Sequence, residues 1–211
     1  MKPENRHLVV FAKQPRMGNV KTRLARDIGY VAATHFYRHV LTQVLTPLGR
    51  DPRWRSWMFV APDKAAMERP FWPDGFVSEK QGAGDLGLRM ENAFNVLPPG
   101  PAVIIGTDIP GIRATHIQKA FRALGNHDAV FGPAPDGGYW LVGLKRSPMA
   151  PELFRGVRWS TSHALADTVR NLERAGKTHT RLEVLEDVDD AESYARCSFN
   201  RGISSTKLQG R

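Results

Sequence analysis

The residues with the most chemical potential lie in a few short stretches. Lys13, Arg16, Lys21 and Arg23 fall within one segment, with Gly18 between them and Thr22 beside Lys21. The segment follows an apolar run and precedes an amphipathic one, which predicts a loop leading into a helix N-terminus. Free backbone N–H groups and the helix dipole favour anions there. Lysine meets phosphate as a compact point charge, and arginine can hold it through two parallel hydrogen bonds. Gly18 permits close backbone approach. Lys21–Thr22 imitates the end of a P-loop, but the full Gly-x-x-x-x-Gly-Lys-Ser/Thr spacing is absent. The chemical reading is a polyphosphate cradle, and the plain one is a solvated basic loop.

Asp108 stands in Gly106-Thr107-Asp108-Ile109-Pro110-Gly111, just beyond the apolar run Ala102–Ile105. A carboxylate in that position can hold a divalent cation, a hard ion that prefers oxygen ligands and substrate phosphates. It can equally cap the following turn or helix. Glu186-Asp187-Val188-Asp189-Asp190 offers two more candidates, because Asp187 and Asp189 point the same way in extended chain. Either could complete a metal site with Asp108, and the same run would also cap a helix over Asp190–Arg196.

The glycine-rich Gln81-Gly82-Ala83-Gly84-Asp85-Leu86-Gly87 opens a helix. Gln81, Gly82 and Asp85 could touch a base, ribose or phosphate, or the stretch could simply turn the chain. Asp136-Gly137-Gly138-Tyr139 carries a strong hairpin signal. It also sets a carboxylate where an acceptor could bind, making Asp136 a candidate acceptor contact or general base. His35 and His39 have a spacing that metals use, but they lack the intervening glutamate of a metalloprotease and read as helix-surface residues. Trp159-Ser160-Thr161 reads as packing followed by a helix N-cap.

The elements that must position these residues alternate along the chain. Short apolar runs at Leu8–Ala12, Trp57–Ala61, Phe76–Ser78, Ala102–Ile105, Ala129–Phe131, Tyr139–Leu144 and Leu182–Leu185 predict strands. Helices are predicted at Val20–Gly29, Tyr30–Thr46, Leu86–Leu97, Thr115–Leu124, Thr161–Ala175 and Asp190–Arg196. Pro47 and Gly49 should end the second of these. Alternation of this kind implies an α/β fold with a mostly parallel sheet covered on both faces. The turn-rich Gly132–Gly138 bridge implies one antiparallel departure. In such a sheet, ligands bind beyond the carboxyl ends of the strands, where the first two candidate stretches lie. One domain over 1–198 and a frayed tail over 199–211 are expected.

Composition sets the outer limits. With 41% hydrophobic and 24% charged residues in 211, the chain is ordinary globular material. No apolar run approaches the roughly 20 residues of a membrane span. The apolar stretch near the N-terminus is too short for a signal peptide. A single cysteine, Cys197, excludes an internal disulfide and a thiolate cluster, so the cytoplasm is the expected compartment. The net charge of +9 is concentrated early. Residues 1–60 hold eleven Lys/Arg against three Asp/Glu, which attracts phosphate in some form. Aromatics are not interleaved with these cations as base-stacking platforms, so nucleic acid is not the expected partner.

Six segments occur in order: FAKQPRMGNVKTRL (11–24), QGAGDLGLRMENAF (81–94), GTDIPGI (106–112), GPAPDGGYWLVGL (132–144), LFRGVRWST (153–161) and DVDD (187–190). Together they resemble the bacterial family named domain of unknown function 2064, itself similar to nucleotide-diphospho-sugar transferases and often labelled glycosyltransferase. The resemblance spans roughly residues 7–197. It implies a Rossmann-like α/β/α sandwich of the GT-A, nucleotide-diphospho-sugar transferase type. It further implies that Lys13, Arg16, Lys21 and Arg23 cradle nucleotide phosphates. Asp108 would bind Mg²⁺ or Mn²⁺, Asp189 would be a late metal ligand with Asp187 the lesser candidate, and the Gln81–Gly87 loop would recognise the base. The partners implied are a nucleotide sugar or a nucleoside triphosphate, and a small-molecule acceptor. The Asp-x-Asp motif of many glycosyltransferases is absent after the central strand, so nucleotidylyl transfer stands beside glycosyl transfer.

Overall fold

The computed structural model describes residues 5–67, 72–146 and 152–197; the tail expected over 199–211 lies outside them. The first strand, β1 (His7–Lys13), shows how one sequence pattern serves two cores. Leu8, Val10 and Ala12 enter one hydrophobic cluster while Val9 enters the other, because successive strand side chains point to opposite faces. A strand buried on both sides needs a continuous apolar run, which is how β1 reads.

Six further strands complete the sheet: β2 (Arg55–Ala61), β3 (Phe76–Lys80), β4 (Ala102–Ile105), β5 (Ala129–Pro133), β6 (Tyr139–Leu144) and β7 (His179–Arg181). Their order is β3-β2-β1-β4-β6-β5-β7. The strands β1, β2, β3 and β4 run parallel. The exception is β6, antiparallel to both β4 and β5, as the Gly132–Gly138 bridge suggests.

One face of the sheet is covered by α1 (Thr22–Ile28), α2 (Tyr30–Val40), α5 (Ala114–Ala123) and α7 (Ala191–Arg196). The other is covered by α4 (Leu86–Val96) and α6 (Ala164–Arg174). The result is a three-layer α/β/α sandwich. No described helix is long and apolar enough to cross a membrane.

Three elements differ from the sequence expectation by three residues or more. The last strand is His179–Arg181, which pairs in parallel with Ala129–Phe131, and not Leu182–Leu185. Being at the sheet edge it needs no apolar side chains, whereas Leu182 and Leu185, just past the strand, pack against the core and donate their N–H groups to the Phe131 and Pro133 carbonyls of β5. The second helix runs past Pro47 and ends at Gly49, the second of the two expected stops. A π-helical turn at Leu41–Leu45 leads into α3 (Thr46–Gly49). Proline lacks the N–H that would donate back to the preceding turn, and the wider turn accommodates that loss. Finally, α6 begins at Ala164, three residues after the expected start. Thr161 accepts a hydrogen bond from the His163 N–H and donates to the Arg158 carbonyl, so it shapes the approach to the helix.

Candidate active site at the carboxyl ends of β1 and β4

Because β1 and β4 are parallel neighbours, the loops that follow them emerge at one end of the sheet. The loop after β1 is built around hydrogen bonds of its own. The Gln14 N–H donates to Ala61 of β2, and Arg16 and Asn19 close tight turns at 2.7 and 3.1 Å. Gly18 adopts a φ of 81°, with nothing within 4 Å of where a Cβ would sit. Lys13, Arg16, Thr22 and Arg23 are exposed around it.

Lys21 ends the loop in the left-handed region, at φ 49° and ψ 43°, and the first turn of α1 starts from its carbonyl. Its side chain is turned inward. The Lys21 Nζ lies 2.7 Å from Asp108 Oδ1 and 3.0 Å from Asp189 Oδ1, with the side chain only 3% exposed. Burial alone would lower the lysine pKa, but the two carboxylates outweigh it and hold the ammonium above its ordinary value. Three segments far apart in the chain thus converge on one charged group.

Asp189 reaches this point because its loop is stitched to the turn after β4. The Val188 N–H donates to the Asp108 carbonyl at 3.0 Å. The acidic run divides its tasks. Asp190 caps α7 by accepting from the Ser193 N–H at 2.8 Å, while Asp189 turns towards Lys21 and, at 3.8 Å, towards Arg23. The capping role that the sequence left open for this run falls to Asp190, and Asp189 is left beside Lys21 and Arg23. Asp187 is half-buried, and burial together with the nearby Asp189 and Asp136 carboxylates raises its pKa. Asp136 is therefore electrostatically part of the same end of the sheet. Its Oδ1 also accepts from the Gly138 N–H, closing the β5–β6 turn.

The second glycine-rich loop plays a more structural part than its composition suggests. Gln81 is buried, and its Nε2 donates to the Ala12 and Phe59 carbonyls at 3.1 and 3.0 Å, bracing the ends of β1 and β2. Asp85 is the N-cap of α4, accepting from the Leu88 N–H. The Gly82 N–H donates to Asp63 Oδ1. Of the three residues named from sequence, Gln81 and Asp85 shape the loop, and the exposed chain between them is what faces solvent.

Sequence reasoning missed Tyr37. Its hydroxyl accepts from the Lys13 N–H, donates to the Lys13 carbonyl, both at 2.9 Å, and accepts from Thr107 Oγ1 at 3.3 Å. It ties the cationic loop to the residue preceding Asp108. Burial pushes its pKa well above the ordinary phenol value. The only signal in sequence is position: Tyr37 falls on the apolar face of α2 beside Phe36 and Val40, where a polar tip needs a buried partner.

Among the described residues, no three His, Cys, Asp or Glu side chains converge closely enough to hold a metal ion by themselves. The pair Asp108 and Asp189 offers hard oxygen donors, 48% and 43% exposed, on either side of a cationic group. That donor set fits Mg²⁺ or Mn²⁺, which are commonly held by one or two carboxylates completed by phosphate oxygens and water.

A family model described as an uncharacterized protein conserved in bacteria (DUF2064) matches residues 44–161. No curated protein matches the chain. A solved structure from Desulfovibrio desulfuricans G20, provisionally assigned as a nucleotide-diphospho-sugar transferase, is 29% identical with a TM-score of 0.84; the match covers 98% of this chain and 90% of that one. The inositol-1-phosphate CTP transferase from T. maritima shares the fold at 10% identity and a TM-score of 0.57, over 99% and 98% of the two chains. Rv0371c from Mycobacterium tuberculosis H37Rv, solved with manganese, does so at 16% identity and 0.51, over 92% and 97%.

Proposed function

Since the chain belongs to the DUF2064 family, we propose that it is a metal-dependent transferase whose donor is a nucleotide sugar. The observation that carries this reading is the meeting of Lys21 with Asp108 and Asp189 at the mouth of the sheet, beside an exposed cationic loop. Cations from one segment and carboxylates from two others are what a diphosphate bridged by a divalent ion requires. The likeness to the D. desulfuricans protein over nearly the whole chain supports the nucleotide-sugar donor.

In this reading Lys13, Arg16 and Arg23 bind the donor phosphates, with Gly18 and Thr22 allowing the backbone to approach. Lys21 neutralises charge on the departing diphosphate from within the site. Asp108 and Asp189, with Asp187 behind them, would hold Mg²⁺ or Mn²⁺, which when bound supplies further neutralisation of the leaving group. The loop over Gln81, Gly82 and Asp85 receives the base, mainly through backbone groups. Asp136 faces the acceptor, which it binds or deprotonates. The acceptor is a small molecule and not a nucleic acid.

A second reading, nucleotidylyl transfer from a nucleoside triphosphate, is favoured by one observation. The two carboxylates that touch the buried lysine come from separate loops, and no Asp-x-Asp pair follows β4. Expelling pyrophosphate also leaves more charge for the loop to stabilise. The test is a thermal-shift screen of nucleoside triphosphates and nucleotide sugars with and without Mg²⁺, followed by product analysis. A ligand at a hundred times its Kd should stabilise by about 2.7 kcal/mol. Release of a nucleoside diphosphate supports glycosyl transfer and release of pyrophosphate supports the second reading. Absence of any Mg²⁺-dependent nucleotide shift would contradict both.

A further inference from the structure

Lys21 stands where a cation between Asp108 and Asp189 would stand. Its Nζ is within 2.7 and 3.0 Å of one oxygen from each carboxylate, and its side chain is 3% exposed. The residue carrying it holds a left-handed backbone, unfavourable for any residue with a Cβ. Such geometry persists where the surroundings over-determine it, and it concentrates at switches and ligand clamps. An ammonium thus occupies the position between the two carboxylates and offsets half of their charge.

A free divalent ion reaching this point has two options. It can displace the ammonium, which then sits buried without a counter-charge, a costly state. Or it can bind beside the ammonium and suffer like-charge repulsion at close range. A phosphate-bearing ligand removes both obstacles. Its oxygens give Lys21 new anionic partners and complete the ion's coordination shell, which two carboxylates leave unfilled. We propose that Lys21 makes this a site for a metal–polyphosphate chelate and not for a free divalent ion, the lysine exchanging carboxylate partners for phosphate ones as the chelate enters. Cation and phosphate then bind with positive coupling, and by linkage each strengthens the other equally. The proposal rests on the reading that Asp108 and Asp189 take the cation.

The test is a titration of the full-length protein with Mn²⁺ followed by electron paramagnetic resonance, with and without methylenediphosphonate, a diphosphate mimic lacking base and sugar. Solution chelation is corrected from the same buffer without protein. Wild type should bind Mn²⁺ at least threefold more tightly when the diphosphonate is present. Lys21→Met should bind Mn²⁺ alone at least threefold more tightly than wild type and should show less coupling. Lys21→Gln repeats the comparison if Lys21→Met does not fold, and the wild-type comparison needs no variant. Coupling below threefold in wild type, or no gain in Mn²⁺ affinity in a folded variant, overturns the proposal. Adding Asp108→Asn to the Lys21 variant separates the premises. Mn²⁺ binding that survives it refutes the metal reading itself; Mn²⁺ binding that is lost leaves that reading standing whatever Lys21 does.

Discussion

Removing one oxygen from Tyr37 should damage both the fold and the site. In Tyr37→Phe the Lys13 N–H and C=O each lose a 2.9 Å partner, and Thr107 Oγ1 loses one at 3.3 Å. A hydrogen bond is worth about 1 kcal/mol net, and stranding a buried donor or acceptor costs about 1–3 kcal/mol. The Lys13 side chain is exposed, so water can reach part of this region and the three losses do not add in full. The expected destabilisation is roughly 2–4 kcal/mol. For a chain of this size that lowers Tm by roughly 5–15 °C, at about 2–4 °C per kcal/mol. Urea unfolding followed by circular dichroism measures it, with an unchanged m-value showing that the unfolded state is not the cause. Because Tyr37 joins the cationic loop to the turn before Asp108, metal-dependent nucleotide affinity should also fall about tenfold or more, equivalent to about 1.4 kcal/mol. Stability within about 0.5 kcal/mol of wild type, with nucleotide affinity intact, would refute the claim that this hydroxyl holds the two loops together.

Two more perturbations probe other parts of the account. His7 is buried at the start of β1, with the Trp57 indole N–H donating to its Nδ1 at 3.2 Å, an arrangement that requires neutral imidazole on that nitrogen. Burial lowers its pKa below 6.5, so the unfolded chain binds the extra proton first. Stability contributed by His7 is therefore complete above pH 6.5 and is lost as pH falls from there towards the folded-state pKa. Urea midpoints between pH 5 and 7.5 should show that slope in wild type and a flatter one in His7→Phe; equal slopes would contradict it. At Gly137, φ is +84° and an added Cβ would land on the Ser162 backbone. Gly137→Ala should cost about 1–3 kcal/mol and lower acceptor-dependent turnover by displacing the Asp136 turn; a variant as stable and active as wild type would show that this turn is not pinned.

Much of the architecture could be read from residue pattern. Leu8–Ala12 and Ala102–Ile105 are apolar without interruption because they are covered on both faces, and that pattern also located the loops where Lys21 and Asp108 sit. What escaped the pattern is what does not depend on apolarity. Edge strand His179–Arg181 is polar because only its backbone is needed for pairing with β5. The division of labour among Asp187, Asp189 and Asp190 depends on long-range bonds, from Val188 N–H to the Asp108 carbonyl and from Ala191 N–H to Asp27 Oδ2, which hold the acidic run against Lys21. Gln81 looks like a ligand contact because glycines surround it, yet its amide is consumed by two strand carbonyls. Tyr37 has the periodicity of a core residue and the hydrogen-bonding capacity of a site residue, and periodicity reports only the first.

The central claim is that the loop after β1 and the carboxylates after β4 and β7 jointly hold a cation-bridged diphosphate. Anomalous scattering from Mn²⁺ in crystals grown with the nucleotide that gives the strongest Mg²⁺-dependent thermal shift tests it most directly. The predicted result is a manganese peak between the Asp108 and Asp189 carboxylates, with nucleotide phosphate oxygens completing its shell and Lys21 Nζ moved onto phosphate. A bound nucleotide whose manganese lies elsewhere, with Lys21 still paired to both aspartates, would contradict it.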